Sequence, residues 1–399
     1  MAAPLNGTPS AERIHIGFFG KMNSGKSSLI NAVTGQGISI VSDTPGTTTD
    51  PVSKAMEISG LGACLLTDTA GFDDTSELGG MRVEKTSAAA MKTDIAVVVF
   101  SDENIDMPLE WYNRFREKKI NTLAVTSKYD TAEGKAVSKK LTDMNIPHIK
   151  TSAADRTGID ELIKELARIA ADNEEKLFIT GDLVSEGDTV LLVMPQDIQA
   201  PKGRLILPQV QTTRELLDRK CTVISTTADM LDNALKALSA PPDLIITDSQ
   251  VFRTVYDKKP SESRLTSFST LFAAYKGDIK SYIKGAAAIN KLTESSRVLI
   301  AECCTHAPKE EDIGRVKLPR LLRKKAGEGL TVDIVGGADF PEVLTDYDLI
   351  IQCGACMFNR RHVLSRIERA ASQNVPITNY GIAIAHISGI LDKVEITNL

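Results

Sequence analysis

The feature that most constrains the fold of this chain is a glycine-rich segment between a strand pattern and a helix pattern. Residues 20–27 read GKMNSGKS and fit the pattern G-x-x-x-x-G-K-S. They follow the apolar run Ile14–Phe19 and lead into the amphipathic stretch Ser27–Val33. In that setting the pattern forms a P-loop, whose backbone N–H groups surround phosphate groups. The sequence therefore predicts an α/β domain of the P-loop type.

Short β-rich runs alternate with helical patterns between residues 13 and 171, which predicts a mostly parallel sheet with crossover helices. The predicted strands are Ile14–Phe19, Ala63–Thr67, Ile95–Phe100, Thr122–Thr126 and His148–Thr151. The predicted helices include Ser27–Val33 and Ile159–Ala170. A charged, aperiodic run at residues 172–176 suits a linker, so we place the P-loop domain at residues 1–172.

The P-loop predicts how a nucleotide and its metal ion are held. Lys26 reaches the β- and γ-phosphates, and the Ser27 hydroxyl ligates Mg²⁺. Asp68 follows a strand and is expected near Mg²⁺, with the Gly71 N–H near the γ-phosphate. The predicted phosphate-binding residues are Gly20, Asn23, Ser24, Gly25, Lys26, Ser27 and Ser28, and the predicted catalytic set is Lys26, Thr48, Asp68 and Gly71.

A later segment predicts that the base is guanine. Residues 127–130 read SKYD and resemble the guanine-reading N-K-x-D motif. The Asp130 carboxylate can accept two hydrogen bonds from the guanine edge, which adenine cannot offer. Ser127 stands where Asn is usual, which predicts a shortened contact on the base side. The predicted base-contacting residues are Ser127, Lys128, Asp130, Ser152 and Ala153, so the ligand is GTP or GDP.

Three further positions bear on hydrolysis. The switch candidate GTTTD at residues 46–50 offers Thr48 as a Mg²⁺ ligand, with Thr47 as the alternative. Phe72 stands where Ras-like proteins carry the glutamine that orients water. With this residue and Asn23 in the P-loop, the domain resembles the Era/TrmE-type GTPases. The resemblance implies that Asn23 ligates K⁺ and that hydrolysis is slow and faster in K⁺ than in Na⁺.

The remainder of the chain carries an internal repeat. The strand run Val190–Val193 is followed by the short motifs Ala-Pro-Lys and Leu-Pro. The run Val298–Ala301 is followed by the same two motifs in the same order. The second predicted strands are Thr222–Ser225 and Thr331–Val335. The tetrapeptide Asp-Leu-Ile-Ile then occurs at residues 243–246 and again at residues 348–351. Echoes in this order predict a β-loop-α-β-α-β unit present twice, each copy a small doubly wound α/β layer.

Thiols and an imidazole stand at the carboxyl ends of two predicted strands, where ligands bind in open α/β sheets. Cys304 and His306 follow Val298–Ala301, and Cys353 and Cys356 form a C-x-x-C pair after the later Ile-Ile run. Thiolates are ligands of iron–sulfur clusters and of zinc. The three thiols therefore predict a metal centre, with a structural zinc site or merely buried thiols as alternatives. His306 could ligate, hydrogen-bond a cluster sulfur or satisfy a helix end.

The two copies differ at these ligand positions. In the alignment of the copies, Asp197, Asp248 and Val251 correspond to Cys304, Cys353 and Cys356. We place copy one at residues 173–258 and copy two at residues 259–399, with Ser261–Ala288 as a helical bridge. Copy one keeps the scaffold without the thiols, so we expect it to supply the interface of a homodimer or tetramer.

Composition narrows the class of protein. A net charge of −5 and a pI near 5.7 argue against an extended nucleic-acid face. No run of about 18 apolar residues is present, so no membrane span is expected. The residues after Met1 lack a signal-peptide pattern, which predicts a cytoplasmic protein.

Six cysteines in such a chain make no disulfide framework. Cys303 is predicted to be a bystander, and Cys64 and Cys221 to be buried core thiols.

Taken together, the G-domain motifs, the duplicated layers, the C-x-H and the C-x-x-C resemble the HydF family, the GTPases of FeFe-hydrogenase maturation. The resemblance covers residues 10–399. It implies GTPase, dimerisation and cluster-binding domains, with a 4Fe–4S cluster on three cysteines. It also implies a scaffold or carrier for the di-iron precursor, with the radical-SAM maturases HydE and HydG and the apo-hydrogenase as partners. Many members carry His where Gln352 stands here, which leaves the fourth ligand open to His306, a carboxylate or water.

Two other functions stay open from the residues alone. One is an Era/TrmE-like GTPase acting on RNA or ribosomes with a structural metal site. It would favour a basic appended domain, whereas this chain is acidic overall and carries thiols in an α/β layer. The other is a zinc-stabilised interaction protein with a regulatory G switch.

Overall fold

Parallel β-sheets organise the chain in the computed structural model. The structure describes residues 10–35, 52–58, 60–71, 86, 88–173, 177–195, 205–303, 313–337, 339–355 and 358–397. Two units divide the chain, residues 1–175 and residues 176–399. Across the described ranges, no helix combines the length and apolar character needed to cross a bilayer.

The first unit contains one six-stranded sheet. Its strands are β1 (Ile14–Gly20), β2 (Val52–Ile58), β3 (Gly62–Asp68), β4 (Ile95–Phe100), β5 (Asn121–Thr126) and β6 (His148–Lys150). Their order in the sheet is β2-β3-β1-β4-β5-β6. All neighbours pair in parallel except β2, which runs antiparallel to β3 at the edge. The P-loop α/β fold predicted from the sequence is confirmed.

Helices cover both faces of this sheet. They are α1 (Lys26–Thr34), α2 (Asp106–Glu117), α3 (Ala132–Asp143) and α4 (Ile159–Asn173). All six residues of β4 are fully buried. Successive side chains of a strand point to opposite faces. One face of β4 therefore packs in the core with α1 and α4, and the other packs with α2 and α3. A continuous apolar run is the pattern expected of such a central strand.

The five predicted strands coincide with β1, β3, β4, β5 and β6 to within one residue at each end. Strand β2 was not predicted. Its sequence VSKAMEI alternates weakly, because Lys54 occupies an inward position beside Met56 and Ile58. Such half-exposed alternation at a sheet edge is a weaker signal than a buried apolar run. A period of two in these seven residues is the signal that could have found it.

The second unit contains two four-stranded parallel sheets. The middle sheet holds β7 (Thr189–Val193), β8 (Thr222–Thr226), β9 (Leu244–Thr247) and β10 (Arg264–Ser267). The last sheet holds β11 (Arg297–Ala301), β12 (Thr331–Val335), β13 (Leu349–Gln352) and β14 (Ile377–Asn379). The strand orders are β10-β9-β7-β8 and β12-β11-β13-β14. When the four strands of each sheet are numbered in chain order, both sheets have the strand order 2-1-3-4.

Helices connect the strands of both sheets. The helices of the middle sheet are α5 (Leu207–Asp218), α6 (Leu231–Lys236), α7 (Phe252–Lys258) and α8 (Phe268–Lys276). Those of the last sheet are α9 (Ile279–Ala286), α10 (Leu318–Ala326), α11 (Arg360–Ser372) and α12 (Tyr380–Ile387). Short helical turns occupy Ser10–Glu12, Ala287–Lys291, Ile313–Lys317 and Leu391–Lys393.

The register of the strands confirms the internal repeat. Val190 aligns with Leu244 in the middle sheet, and Val298 aligns with Leu349 in the last sheet. In each copy, the Asp just before the third strand accepts a hydrogen bond from a backbone amide at the start of the first strand. The distance is 2.8 Å both for Asp243 with Thr189 and for Asp348 with Arg297. The repeated Asp-Leu-Ile-Ile sequence is therefore explained by one contact, in which its Asp fixes the start of the third strand to the first strand in both copies.

Two details of the predicted organisation differ from the structure. Each copy has a fourth strand, β10 or β14, that the sequence did not predict. Ser261–Ala288 is not one helical bridge, because it contains β10, α8 and α9. Since β10 pairs in parallel with β9, the middle sheet extends beyond residue 258. The RLTS sequence of β10 has four residues and a single aliphatic one, so it lacks the apolar run that predicted other strands.

Candidate functional site

The P-loop takes its shape from backbone conformations between β1 and α1. Asn23 and Gly25 have positive φ values of 57° and 90°, which turn the chain tightly before the helix starts at Lys26. The Lys26 side chain is 7% exposed, and its ammonium donates to the carbonyl oxygens of Gly20 at 3.2 Å and Lys21 at 2.7 Å. The cationic head therefore lies against the turn that would surround a phosphate chain.

The Ser27 hydroxyl donates to Oδ2 of Asp68, which joins the start of α1 to the end of β3. The other carboxylate oxygen, Oδ1, is buried and has no hydrogen-bond partner among the described residues. Burial raises the pKa of Asp68, and the Ser27 hydrogen bond and the Lys26 charge offset part of that rise. Carboxylate and hydroxyl oxygens are the hard ligands that Mg²⁺ prefers. This pair of side chains therefore fits a magnesium ion.

The segment after β3 is fixed to the neighbouring strand. The Thr69 hydroxyl donates to the carbonyl of Phe18 at 2.6 Å, and the Thr69 amide donates to the same oxygen at 3.4 Å. These bonds hold the start of the Asp-Thr-Ala-Gly segment, of which Gly71 is the last described residue. The predicted switch residues Thr47 and Thr48, and Phe72, lie outside the described residues.

Ser127 contacts the P-loop backbone. Its hydroxyl donates to the carbonyl of Ser24 at 2.7 Å, and its amide donates to the carbonyl of Phe100 at 3.0 Å. Lys128 has a positive φ of 53°, and Lys128 and Asp130 are both exposed. The sequence predicted only a shortened contact between Ser127 and the base. The structure gives its hydroxyl a bracing contact with the phosphate-binding loop.

The other loop predicted to contact the base, at Ser152 and Ala153, is held by hydrogen bonds to backbone groups. The Ser152 amide donates to the carbonyl of Thr157 at 3.0 Å, and the Ser152 hydroxyl accepts from the Asp155 amide at 3.5 Å. The Tyr129 amide donates to the carbonyl of Thr151 at 3.0 Å, which joins this loop to the SKYD segment. Ser152 is buried and Ala153 is half-buried. The two predicted base loops are therefore neighbours at one edge of the sheet.

An ion pair that the sequence did not indicate also holds the P-loop. Lys21 donates to Oδ1 of Asp102 at 2.8 Å, which ties the loop to the end of β4. Burial opposes ionisation of Asp102, but hydrogen bonds from Lys21 and Ser101 and the charge of Lys21 leave its pKa lowered overall. The two partners are 81 positions apart in sequence, so no local motif could have paired them.

In the second unit, the ends of β11 and β13 bring two cysteines together. The Cys353 amide continues the ladder by donating to the carbonyl of Ala301 at 3.0 Å. The Cys303 amide donates to Sγ of Cys353 at 3.1 Å. Cys303 was predicted to be a bystander, but its backbone contacts a predicted ligand. The contact arises because β11 and β13 are neighbouring parallel strands. Their carboxyl ends therefore lie side by side.

The other predicted ligands, Cys304, His306 and Cys356, lie outside the described residues. Within the ranges that are described, no group of three or more His, Cys, Asp or Glu residues could hold a metal ion. The described part of the predicted centre is therefore Cys353 with its surroundings.

A buried guanidinium lies beside these cysteines. Arg366 of α11 is 2% exposed and places Nη1 3.9 Å from Sγ of Cys303. Its Nη2 donates to the carbonyl of Gly337 at 2.7 Å, and its guanidinium lies 4.8 Å and 4.9 Å from the ring centres of Phe340 and Phe358. Burial lowers the pKa of Arg366, while the nearby cysteines oppose that change. A buried cation beside sulfur atoms fits a group that carries negative charge.

Gln352 completes this environment from the last position of β13. Its Nε2 donates to the Tyr282 hydroxyl at 3.1 Å, whereas its buried Oε1 has no partner among the described residues. Complete burial raises the pKa of Tyr282, which keeps the phenol neutral. The Cys303 N–H that reaches Sγ of Cys353 is the kind of donor that stabilises a metal-bound thiolate. The described donor set is therefore compatible with a thiolate-bound metal centre.

Cys64 and Cys221 are both buried, as predicted. Burial raises the pKa of the Cys64 thiol to about 11 and also raises that of Cys221. Both thiols are therefore protonated at neutral pH and unsuited to reaction or metal binding.

Comparison with curated proteins finds GTPases that match about two fifths of the chain. GTPase Der of Wolinella succinogenes is 32% identical over 174 residues, covering 39% of this chain and 36% of that protein. The tRNA modification GTPase MnmE of Endomicrobium trichonymphae is 32% identical over 169 residues, covering 41% of this chain and 37% of that protein. The chain thus spans little more than a third of the length of these relatives.

Solved structures with G domains are also similar to this chain. The G domain of the T. maritima FeoB iron transporter has 22% identity and a TM-score of 0.32, covering 40% of this chain and 99% of that chain. A variant of Aquifex aeolicus Era has 18% identity and a TM-score of 0.33, covering 56% of this chain and 98% of that chain.

Three family models match successive parts of the sequence. The 50S ribosome-binding GTPase model matches residues 15–128. The hydrogen maturase F dimerization domain matches residues 179–277, and the hydrogen maturase F tetramerization domain matches residues 280–396. The two hydrogen maturase F models together cover more than half of the 399 residues and correspond to the two four-stranded sheets. The chain therefore belongs to the hydrogen maturase F family and combines its two oligomerisation domains with a P-loop GTPase domain.

Proposed function

We propose that this protein is a GTP-hydrolysing iron–sulfur scaffold or carrier that assembles or delivers the di-iron subcluster of FeFe-hydrogenase. The observation that carries the proposal is the thiol environment at the ends of β11 and β13. There Cys303 donates an amide N–H to Sγ of Cys353 beside the buried Arg366. Membership of the hydrogen maturase F family supports the biological setting.

The nucleotide site performs the first part of this function. Lys26 binds the β- and γ-phosphates, and Asp130 binds the guanine edge. Ser27, Asp68 and Thr48 would hold Mg²⁺, and the Gly71 N–H would donate to the γ-phosphate. The ion would supply positive charge to the phosphate oxygens during hydrolysis. Ser127 contributes by fixing the Ser24 carbonyl, which keeps the backbone N–H groups of the P-loop aimed at the phosphates.

The thiol site performs the second part. Cys304, Cys353 and Cys356 would hold a 4Fe–4S cluster, with His306, a carboxylate or water at the fourth position. A cluster held by three thiolates supplies an exchangeable iron position to which a second molecule can attach. The Cys303 N–H stabilises the Cys353 thiolate, and Arg366 balances negative charge in a region that excludes water.

Partners follow from the family and from its two oligomerisation domains. Dimerization and tetramerization models support a homo-oligomer. We propose a homodimer or tetramer that receives its cargo from the radical-SAM maturases HydE and HydG and passes it to the apo-hydrogenase. The copy without ligand thiols supplies an oligomer interface, and the copy with Cys353 carries the cluster.

Anaerobic reconstitution of the full chain with iron and sulfide tests the proposed function. We expect about four iron atoms per chain, visible absorption and an EPR signal on reduction, together with GTP hydrolysis by the same preparation. Uptake of zinc in preference to iron would support the zinc-stabilised interaction protein instead. GTP hydrolysis with no metal uptake would remove the scaffold function and leave a GTPase.

Potassium dependence tests the assignment of Asn23. We expect GTP hydrolysis to be about tenfold faster in KCl than in NaCl, because a cation at the P-loop adds positive charge where negative charge develops. Asn23→Ala should remove this difference, whereas the control Met22→Ala, also exposed in the same loop, should retain it. Equal rates for the unmodified protein in both salts would refute a potassium site.

A further inference from the structure

A buried lysine ties helix α8 to the loop that follows β13. Lys276 is the last residue of α8 and is 3% exposed. Its ammonium donates to the carbonyl oxygens of Ala355 at 3.3 Å and Phe358 at 3.0 Å. These two carbonyls flank Cys356 in sequence, and Ala355 lies inside the C-x-x-C segment that begins at Cys353. The lysine therefore restrains the backbone on both sides of Cys356 in the sequence.

An arginine makes the reciprocal contact. Arg360 is the first residue of α11, just beyond the C-x-x-C segment. Its Nη1 donates to the carbonyl oxygens of Ala274 at 3.3 Å, Tyr275 at 2.6 Å and Gly277 at 3.0 Å. The last carbonyls of a helix have no partner within the helix and form the negative end of its dipole. Arg360 donates hydrogen bonds to these carbonyl groups. Helix α8 and the segment after β13 therefore each provide one cationic side chain that binds carbonyl oxygens of the other.

Helix α8 belongs to the cores of both sheets. It follows β10 directly, and Leu271 and Phe272 pack in the core of the middle sheet. Ala273 and Ala274 pack in the core of the last sheet. The small side chains allow close approach on that side. The helix therefore connects the middle sheet, which matches the dimerization model, to the C-x-x-C segment.

The C-x-x-C segment also contains a backbone conformation that needs support. Ala355 has a φ of 53°, in the left-handed region that disfavours a residue with a Cβ atom. Its carbonyl accepts from the Phe358 amide at 3.1 Å as well as from Lys276. A strained conformation persists only when the surrounding structure fixes it. The ammonium of Lys276 is positioned to supply that constraint.

We propose that Lys276 and Arg360 are positioning residues that set the backbone of the C-x-x-C segment and couple it to the middle sheet. Through this pair, the backbone that follows Cys353, at Ala355 and Phe358, depends on a helix of the dimerization domain. The relevance to a cluster rests on the proposed function, whereas the restraint of the segment does not. Hydrogen exchange of the metal-free chain tests the restraint, and spectra of the reconstituted chain test its relevance to a cluster.

Hydrogen exchange of the metal-free full chain tests the restraint. In Lys276→Met, amides in a peptide spanning residues 353–359 should exchange at least about tenfold faster, because a charge-assisted hydrogen bond is lost. Lys280→Met, which removes an exposed lysine from the next helix, should leave exchange of this peptide unchanged. Arg360→Gln should accelerate the same peptide, and it serves as the test where Lys276→Met does not fold. Unchanged exchange in the folded variant overturns the proposal.

A double-mutant comparison tests the link to Ala355. Glycine adopts positive φ readily, so Ala355→Gly removes the need for an external constraint. The acceleration caused by Lys276→Met should fall from about tenfold to about threefold or less when Ala355 is glycine. An equal acceleration in both backgrounds would overturn the assignment of Lys276 to this backbone position.

A spectroscopic comparison tests the consequence for the ligands. After iron–sulfur reconstitution, Lys276→Met should bind iron but give an altered EPR line shape, and Lys276→Arg should restore the original signal. An unaltered signal in Lys276→Met overturns the positioning role. If the unmodified chain takes up no iron, the proposed function fails while hydrogen exchange still decides whether the restraint exists.

Discussion

Asp68→Asn is expected to lower GTP hydrolysis by at least about 100-fold and, at neutral pH, to raise the thermal stability of the nucleotide-free protein. The loss follows from the position of the carboxylate. Asp68 accepts from the Ser27 hydroxyl and has a second, buried oxygen without a described hydrogen-bond partner. An amide keeps the shape but not the negative charge, so it binds Mg²⁺ weakly.

The gain in stability follows from the same burial. Burial raises the pKa of Asp68 in the folded protein above its ordinary value of 3.8. The folded state therefore holds this proton more tightly than the unfolded state does, and stability falls as pH rises through the folded pKa. Asparagine removes this penalty. The advantage of Asp68→Asn should be present at neutral pH and should shrink as pH falls towards the ordinary value.

Steady-state GTP hydrolysis and thermal unfolding between about pH 4 and pH 7.5 measure both effects. Asp143→Asn is a matched control, because Asp143 is an exposed carboxylate at the end of α3. It should leave the rate of hydrolysis and the pH profile of stability unchanged. A variant at Asp68 that hydrolyses GTP normally would refute its role as the magnesium-binding carboxylate. A variant that is destabilised at neutral pH would refute the cost of burying the charge.

Sequence patterns predicted the P-loop domain closely because its signals are local. The GKMNSGKS segment and the apolar run of β4 each lie within eight consecutive residues. Repeat echoes likewise predicted the two related sheets, since the Asp before the third strand makes the same contact in each copy. Strand β14 escaped prediction because three residues are too short for a recognisable period.

The contacts that shape the two sites could not be predicted, because they join residues distant in sequence. Arg366 lies 63 positions from Cys303, and Lys276 lies 79 positions from Ala355. Read locally, Lys276 is an ordinary last-turn lysine of a helix, and such residues are usually exposed. Only the packing of α8 against the last sheet buries it. The bracing role of Ser127 is similar, because its partner belongs to a different loop.

The duplicated sheets share a backbone hydrogen bond at equivalent strand ends. The Asp248 amide donates to the carbonyl of Val193 at 3.3 Å, just as the Cys353 amide donates to the carbonyl of Ala301 at 3.0 Å. Both copies therefore continue the backbone ladder by one residue beyond the third strand, while the side chains at that position differ. Under the proposed function, the strand end of the last sheet becomes a metal site through side chains that the middle sheet lacks, and the nearby Arg366 balances the negative charge.

Substitution of the predicted cluster ligands is expected to have the largest effect on metal binding. Cys304→Ala, Cys353→Ala and Cys356→Ala should each reduce bound iron and visible absorption after reconstitution by at least about tenfold, because two remaining thiolates hold a cluster poorly. Cys221→Ala, which removes a buried thiol just before β8, should retain the full cluster content. Full retention in all three ligand variants would refute the assignment.

Two further variants separate ligation from structural support. Cys303→Ala should retain the cluster, because Cys303 acts on Cys353 through its backbone N–H, which alanine also has. Cys353→Ala should lower the stability of the metal-free protein by about 1 kcal/mol, since this N–H loses its acceptor. Cys353→Ser keeps an acceptor atom there and should recover stability without recovering iron. Iron content measured beside the free energy of unfolding distinguishes a ligand from a packing residue, and loss of iron in Cys303→Ala would instead make that thiol part of the metal centre.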